Sequence, residues 1–388
     1  MEKISNLFTE LIKAELCDKT PQLHKEDLTT ESMLKLYNLS SKHDLAHLVG
    51  VALKKNNLLG EDQVSKAFQQ QIKTAAFRHE AMSYTLKRIR YLFEEAEIVF
   101  VPLKGAVLSR YYPQDWMRTK SDLDILVREQ DLKRAKNLLV NKLGYKVHKK
   151  NYHDIALVSP ENTLLELHFR ILEHEGNIDR VLDRVWDYVQ PVAEGCFEHK
   201  MTNEFLMFHV YAHMYYHFIQ GGCGLRFLVD IWLMEQNMDF NRDELQTMYK
   251  IGQLETFVAY VEQLNKVCFA EEEHDEVTLM MEEYIMTGGL FGSFASKVKA
   301  RKTQERGKNR YMFKRVFMPY ETMCASYPSL EKHPWRYPYY MVKRWLKLLN
   351  PETVDAAKQE IKLNHKMKQD SIDELKELFA ILKGEKHV

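Results

Sequence analysis

The spacing of apolar residues over roughly the first hundred positions is typical of helices. One set recurs at three- and four-residue intervals close to the start, which places its members on one face of a helix. That set is Ile4, Leu7, Phe8, Leu11 and Ile12. Residues 61–97 repeat the interval without a proline. We therefore predict an N-terminal helical region over residues 1–95.

The pattern then changes to short apolar runs separated by turn residues. The run IVFVPL (98–103) ends at Lys104-Gly105, and SDLDILV (121–127) is followed by a helical segment and a turn at Gly144. Three more strand-like pieces follow in succession: YKVHKKN, HDIALVS and TLLELHF. Strands first interrupted by helices and then consecutive indicate a small mixed sheet with helices packed against it. We place this α/β core at residues 96–195.

From Thr202 the helical interval returns, so residues 196–388 are predicted to form a C-terminal helical region. Within it, residues 297–315 carry nine Lys or Arg and a single acid, Glu305. Such a charge run is typical of a solvated loop or irregular connector. The overall prediction is an α+β protein in which helical regions flank a central core.

Composition limits the possible partners and compartments. The 388 residues contain 55 Lys plus Arg and 55 Asp plus Glu, a balance that argues against a general nucleic-acid or membrane coat. A local basic site such as 297–315 is not excluded. Five scattered cysteines without a C-x-x-C pair favour a reducing, cytoplasmic location. No apolar run approaches the ~18 residues of a membrane span.

Two acids in the second apolar run are the most informative chemical signal. Asp122 and Asp124 are two positions apart in a strand, so both carboxylates lie on one face while Leu123 and Ile125 lie on the other. Two adjacent like charges in a buried strand need a cation between them. Carboxylate oxygens suit Mg²⁺, with Mn²⁺ as an alternative.

A third acid follows the same logic in LLELHF. Leu164, Glu166 and His168 share one face of this strand. If the two strands are neighbours, Asp122, Asp124 and Glu166 converge, as in a two-metal site for phosphoryl transfer. The alternative for Glu166 is a structural role in a buried ion pair with His168. His168 itself is expected to be a structural partner that hydrogen-bonds to the acids, and not a metal ligand.

The Lys104-Gly105 turn is a candidate phosphate-binding element. Glycine lets the backbone approach a bound group, the helix after it offers N–H donors, and Lys104 adds a charge. The alternative is an ordinary lysine at a strand end. The turn gains weight because the acid pair follows about seventeen residues later.

Together, VPLKGAVL, SDLDILV and LLELHF resemble the polymerase-beta-like nucleotidyltransferase superfamily, and within it an uncharacterised bacterial branch. The resemblance covers roughly residues 95–170. It implies that Gly105 is the turn glycine, that Asp122 and Asp124 hold the metals, and that Glu166 is the third acid. Arg118 resembles the basic residue that precedes the acid pair in this branch. The usual Gly-Ser pair is replaced here by Lys104-Gly105-Ala106, which removes a hydroxyl expected to contact phosphate.

A weaker group lies in the C-terminal helical region. His213 and His217 are four residues apart on one helix, and Arg226 and Asp230 are four apart on the next. The resemblance suggests that these helices close the nucleotide cleft, so the four side chains are candidates for nucleotide binding. The bland alternatives are a packed histidine face and an intrahelical Arg226–Asp230 pair.

The expected function is Mg²⁺-dependent transfer of a nucleoside monophosphate from an NTP, with ATP as the expected nucleotide, to a hydroxyl of an unknown acceptor, with release of pyrophosphate. Three alternatives remain: toxin-like nucleotidylation of tRNA or protein, a non-catalytic nucleotide-binding protein, and a metal phosphohydrolase. Fold resemblance does not choose among them.

Overall fold

The computed structural model describes residues 2–23, 28–173, 175–304, 317–318, 320, 323–324, 327, 329–348 and 369–385. The chain begins with four helices: α1 (Glu2–Leu16), α2 (Thr30–Lys42), α3 (Ala46–Lys55) and α4 (Gln63–Glu95). Asp62 caps α4 by accepting hydrogen bonds from the Val64 and Ser65 N–H groups, which satisfies two of the donors that a helix N-terminus leaves free. The predicted N-terminal helices are confirmed.

A five-stranded sheet follows, built from β1 (Phe100–Pro102), β2 (Asp122–Val127), β3 (Lys146–Lys150), β4 (Asp154–Val158) and β5 (Leu164–His168). The spatial order is β1-β2-β5-β4-β3. The β2–β5 pair is parallel and the other pairs are antiparallel. All five strand-like segments predicted from the pattern are confirmed, as is the small mixed sheet.

The two faces of the sheet have different neighbours. On one face, α4 and α6 (Leu132–Leu143) cover a core to which β2 contributes Leu123 and Ile125 and β5 contributes Leu165 and Leu167. Alternation along each strand turns the intervening residues, among them Asp124 and Glu166, to the other face. The acids thus lie on the face opposite to α4.

The remaining described chain is mainly helical. It contains α5 (Gly105–Leu108), α7 (Gly176–Leu182), the hairpin of β6 (Val189–Pro191) and β7 (His199–Met201), α8 (Asn203–Gln220), α9 (Leu225–Asn237), α10 (Arg242–Gly252), α11 (Glu255–Ala270), α12 (Glu276–Gly288) and α13 (Phe294–Gln304). Further helical segments are Ser329–Lys332, Tyr337–Leu348 and Gln369–Leu382. None of the described helices is long and apolar enough to cross a membrane.

One hydrophobic core joins helices that precede the sheet in the chain to helices that follow it. Phe8 and Leu11 of α1 belong to the same buried cluster as Phe205 and Tyr211 of α8 and Phe379 near the C-terminus. The N-terminal and C-terminal helices therefore pack together around the acid-bearing face of the sheet. The boundaries at 95 and 195 stay predictions, whereas the α+β class is confirmed.

The expectation of an irregular connector over 297–315 is wrong for its first part. Residues 297–304 belong to α13, and Val298 and Ala300 are buried. These two apolar residues lie within the run of charges, so the sequence pattern did not indicate a helix. In the structure they let α13 pack against α8 and Gln369–Leu382. Residues 305–315 lie outside the described residues.

Candidate active site

Two acids face each other across the parallel strand pair. In the β2–β5 register, Asp124 is opposite Glu166 and Leu126 is opposite His168. The strands are adjacent, as the convergence of the acids required. Matched register brings carboxylates from two segments, far apart in the chain, to one point on the sheet.

Asp124 is the centre of a buried charged group. Its Oδ1 accepts hydrogen bonds from Lys104 Nζ at 2.9 Å and from His168 Nε2 at 2.9 Å. His168 Nε2 also lies 3.5 Å from Glu166 Oε2. Two carboxylates and two basic groups thus share one small volume.

The pKa values follow from this arrangement. Burial opposes the ionised form of Asp124, but the charges of Lys104 and His168 outweigh it and hold the Asp124 pKa well below its usual range. Burial lowers the pKa of His168, whereas its hydrogen bonds to Asp124 and Glu166 raise it, with a net value of about 9. At neutral pH, His168 is therefore an imidazolium whose Nε2–H donates to Asp124 and lies beside the Glu166 carboxylate.

Lys104 occupies a strained backbone position. Its φ of 46° and ψ of −120° are a conformation that costs a non-glycine residue about 1–3 kcal/mol. Burial lowers the pKa of its ammonium, but Asp124 outweighs that effect and leaves the Lys104 pKa above its usual value. The Lys104 ammonium contacts the Asp124 carboxylate and neutralises its negative charge.

The helix after the turn is shorter than the phosphate-binding expectation assumed. α5 spans only the four residues Gly105–Leu108 and continues as a 3₁₀ turn, so it has little macrodipole. A Cβ at position 105 would lie 3.2 Å from the Lys120 Cβ, a tight contact that requires a small shift of the neighbouring segment. The turn brings its backbone close to the segment that leads into β2.

Asp122 is partly exposed and stands slightly apart from the other acids. Its Oδ1 accepts a hydrogen bond from Ser121 Oγ at 3.3 Å. Burial, and then repulsion by Asp124, raise the Asp122 pKa. Asp122 and Asp124 lie on the lining of the same cavity, as their spacing along the strand predicted.

The donor set fits a hard divalent cation. Atoms of Asp124, Glu166 and His168 lie within 4.8 Å of one another, so they could bind one ion together if the ion displaces the proton of His168. A second such group, His153, Asp154 and His168, shares the same histidine. Carboxylate oxygens are the donors that Mg²⁺ prefers. Asp122 is absent from both groups, so the geometry supports one ion more directly than two.

A cavity of about 200 Å³ opens beside the acids, between the sheet and the helices α8 and α9. Lys104, Gly105, Asp122 and Asp124 form one wall, and His209, His213, His217, Phe227 and Phe291 contribute to the facing wall. Burial holds the pKa values of His209, His213 and His217 at about 3. These imidazoles are therefore neutral at physiological pH, and they make their part of the facing wall polar without adding charge.

Of these histidines, His213 has an acidic partner. Its Nδ1–H donates to Glu173 Oε1 at 2.8 Å. His213 and His217 pack edge to face, with ring centroids 4.5 Å apart. The predicted histidine pair does share one helix face and does reach the cavity.

Arg118 and Asp230 form a buried pair across the cavity rim. Arg118 Nε and Nη2 donate to the two carboxylate oxygens of Asp230 at 2.6 and 2.8 Å, and the Tyr112 hydroxyl donates to Oδ1 at 2.7 Å. Arg118 Nη1 donates to the Thr119 carbonyl. All three guanidinium nitrogens of Arg118 are thus engaged with protein acceptors.

Arg226 pairs with the N-terminal helical region. Its Nη1 donates to Asp44 Oδ2, which also accepts from the Thr119 hydroxyl at 2.7 Å. The expectation of an intrahelical Arg226–Asp230 pair is wrong, because each residue forms its hydrogen bonds with a partner on another segment. Both arginines line the cavity.

Sequence reasoning missed several residues of the site. They are Asp44, Tyr112, Lys120, Glu173 and His209. The sequence does indicate His209, because this residue precedes His213 by one helical turn and lies on the same helix face. Asp44 and Glu173 had none, since their partners are 182 and 40 residues away.

A family model described as "Uncharacterised nucleotidyltransferase" matches residues 30–270, which is more than half of the chain. The chain therefore belongs to this family, and the resemblance drawn from the three sequence segments is confirmed. The match includes the sheet, the helices α8 and α9, and the residues that line the cavity except Phe291. No curated protein matches the chain.

Proposed function

We propose that the chain transfers a nucleoside monophosphate from an NTP, with ATP the expected donor, to a hydroxyl group of an acceptor in a Mg²⁺-dependent reaction. The acceptor oxygen forms a bond to the α-phosphorus, and the bond from that phosphorus to the bridging oxygen of the β-phosphate breaks. Pyrophosphate leaves with the electron pair of that bond. The hydroxyl proton passes to a carboxylate of the site.

The observation that carries the proposal is the in-register pair of Asp124 and Glu166 on one face of the sheet. A carboxylate pair is otherwise costly there, and Lys104 and His168 offset that cost in the structure. We propose that Asp122, Asp124 and Glu166 hold Mg²⁺. The ion would supply Lewis acidity that stabilises negative charge on the phosphates.

The other residues have binding roles in the proposal. Lys104 is close enough to the acids to turn from Asp124 towards a bound triphosphate, and Gly105 lets the chain approach it. Arg118 and Asp230 shape the rim, while Arg226 adds a positive group to the cavity. His168 supports the acids. His213 lies on the wall facing them, and because its Nδ1–H donates to Glu173, its neutral imidazole can accept a hydrogen bond at Nε2.

The test is calorimetric titration of Mg²⁺-ATP into wild type and into the double variant Asp122→Ala/Asp124→Ala. Wild type is expected to bind and the double variant to lose binding. Asp124→Asn is a second variant that keeps the side-chain shape, and circular dichroism checks that each variant is folded. Glu161→Ala removes an exposed acid and serves as the matched control. Equal binding by wild type and the folded double variant would contradict the proposed site.

Turnover is tested by a pyrophosphate-release screen with the four NTPs and pooled hydroxyl acceptors, including sugars, tRNA and protein extracts. Pyrophosphate release that requires an acceptor supports nucleotidyl transfer. Orthophosphate would indicate a phosphohydrolase, and ATP binding without turnover would indicate a non-catalytic nucleotide-binding protein. Release with tRNA alone, weakened by salt, would select the RNA acceptor and implicate the basic segment 297–315.

A further inference from the structure

The long helix α4 has an exposed aromatic stripe. Phe77, Tyr84 and Tyr91 are 75%, 64% and 66% exposed and are spaced seven residues apart. Seven residues are close to two helical turns, so the three rings lie along one side of α4 over about 21 Å. Three large aromatic side chains exposed along one side of a single helix form a candidate interaction surface.

The opposite side of α4 is already used. Met82, Leu86, Ile89 and Phe93 are buried in the core beneath the sheet. The aromatic stripe therefore points away from the chain's own core. It also points away from the catalytic cavity, which lies on the other face of the sheet.

We propose that this stripe is the interface of a homodimer in which the α4 helices of two copies pack antiparallel, with a two-fold axis beside Tyr84. In this register, each residue faces the residue equally far from position 84 in the other direction. Phe77 therefore meets Tyr91 of the second copy, and Tyr84 meets Tyr84. Aromatic rings then contact aromatic rings along the whole stripe.

The charges beside the stripe are complementary in this register. Glu80 and Arg88 are four residues before and after Tyr84, so they face each other between copies. Lys73 and Glu95 are eleven residues before and after it, and they also meet. Within one copy, the Arg88 guanidinium lies 5.9 Å from the Tyr84 ring centroid and has an exposed contact with Glu161 at 3.4 Å. Arg88 is thus already positioned beside the axis.

A parallel arrangement has the opposite electrostatics. Each residue would then face its own copy, which brings Glu80 to Glu80 and Lys73 to Lys73. Like charges at these positions destabilise a helix pair. The antiparallel pair is also isologous and closes on itself, so it forms a dimer and not a filament. Because α4 lies behind the sheet, both catalytic cavities remain open.

The oligomeric state of the full chain is measured by sedimentation velocity from about 1 to about 100 µM, since a single helix face is at the small end of specific interfaces. Wild type is expected to shift from monomer to dimer over this range. Tyr84→Arg places two positive charges at the axis and should leave a monomer. Tyr84→Phe is the matched control and should dimerise as wild type does. A wild type that stays monomeric throughout overturns the proposal.

Charge exchange tests the register. Glu80→Arg and Arg88→Glu should each weaken the dimer by roughly tenfold or more, because each juxtaposes like charges twice. The double variant should recover dimerisation, which a merely misfolded protein would not do. If the double variant is no better than the two single variants, this register is wrong.

Cross-linking tests the direction. Under mild oxidation, Tyr84→Cys should form a covalent dimer, whereas Phe77→Cys should not, because antiparallel pairing separates the two copies of residue 77 by about 21 Å. Wild type, which has its own five cysteines, gives the background. Equal cross-linking of both variants would indicate parallel pairing and overturn the proposal.

Discussion

Arg118 and Asp230 show how much a single residue contributes when its charge is buried. The pair is bidentate and nearly inaccessible to solvent. Removing one partner leaves the other as an uncompensated buried charge. The loss of stability comes more from burying the unpaired charge of the remaining residue than from losing the hydrogen bonds themselves.

We expect Arg118→Ala to lower the free energy of unfolding by about 3–5 kcal/mol, measured by urea denaturation. The Tyr112 hydroxyl remains as a hydrogen-bond donor to Asp230 but carries no charge. Arg184→Ala, which breaks an exposed pair with Asp187, should change stability by less than about 1 kcal/mol. Similar effects for both variants would show that Asp230 is solvated after the change.

His168 provides a second test at this scale. Asp124→Asn removes the carboxylate that contributes most to holding His168 in its charged form. We expect the His168 pKa to fall from about 9, as followed by NMR titration of the imidazole. The exposed-site variant Glu161→Ala should leave that titration unchanged. A His168 pKa that stays high in Asp124→Asn would assign the effect to Glu166.

At the scale of elements, two glycine-containing turns are packed directly against each other. Gly221 ends α8, and Gly292 lies between α12 and α13 with a φ of 75°. A Cβ at position 292 would collide with the Gly221 carbonyl oxygen. The contact holds the segment that bears Phe291 beside His217, with ring centroids 5.1 Å apart.

The chain supplies a matched control for this contact. Gly195 has a φ of 78°, but no atom of the described residues lies within 4 Å of the point that a Cβ would occupy there. Gly195→Ala should therefore cost only the backbone strain, about 1–3 kcal/mol. We expect Gly292→Ala to cost clearly more, because it adds a steric clash to the same strain. Thermal denaturation of the two variants measures the difference, and equal losses would mean that the two turns move apart freely.

The same scale shows what the sequence could and could not predict. Strand alternation was enough to place Asp124 and Glu166 on matching faces, because a period of two leaves only one choice of side. Their meeting also required β2 to pair with β5, and local pattern does not decide strand order. Partners such as Asp230 for Arg118 depend on how helices pack, 112 residues away. The sequence pattern did not predict the helix of residues 297–304, because the many charged residues in this segment indicated a solvated connector and only two apolar positions indicated a packed helix.

At the scale of the whole molecule, buried neutral histidines link folding to pH. His43 Nδ1 accepts a hydrogen bond from the Leu225 N–H, and its Nε2–H donates to the Met286 carbonyl. Burial lowers the pKa of His43 to about 4. His209, His213 and His217 behave likewise. Protonation would put a charge where the fold needs an acceptor.

We expect the free energy of unfolding to decrease as the pH falls from about 6.5 to about 4. In this range the unfolded chain binds protons that the folded chain excludes, and stability falls whenever the unfolded state binds more protons. For His43 alone, the loss amounts to about 3 kcal/mol at the acidic end. Urea denaturation at several pH values measures it. His43→Gln retains a donor and an acceptor without titrating, so its curve should be flatter; a parallel curve would contradict the assignment to His43.

The parallel pairing of β2 with β5 also determines when the site comes into existence during synthesis. A nascent chain that ends at residue 127 contains Asp122 and Asp124 but lacks the facing acid, and His168 is 44 residues beyond Asp124. The ion pair of Arg118 forms later still, because its partner Asp230 is 112 residues further along the chain. The constellation of charges is therefore assembled late, after both the sheet and the helices above it have emerged. A ribosome-bound chain that ends before residue 168 would carry Asp122, Asp124 and Lys104 but would lack the imidazolium of His168 that helps to make burial of Asp124 tolerable.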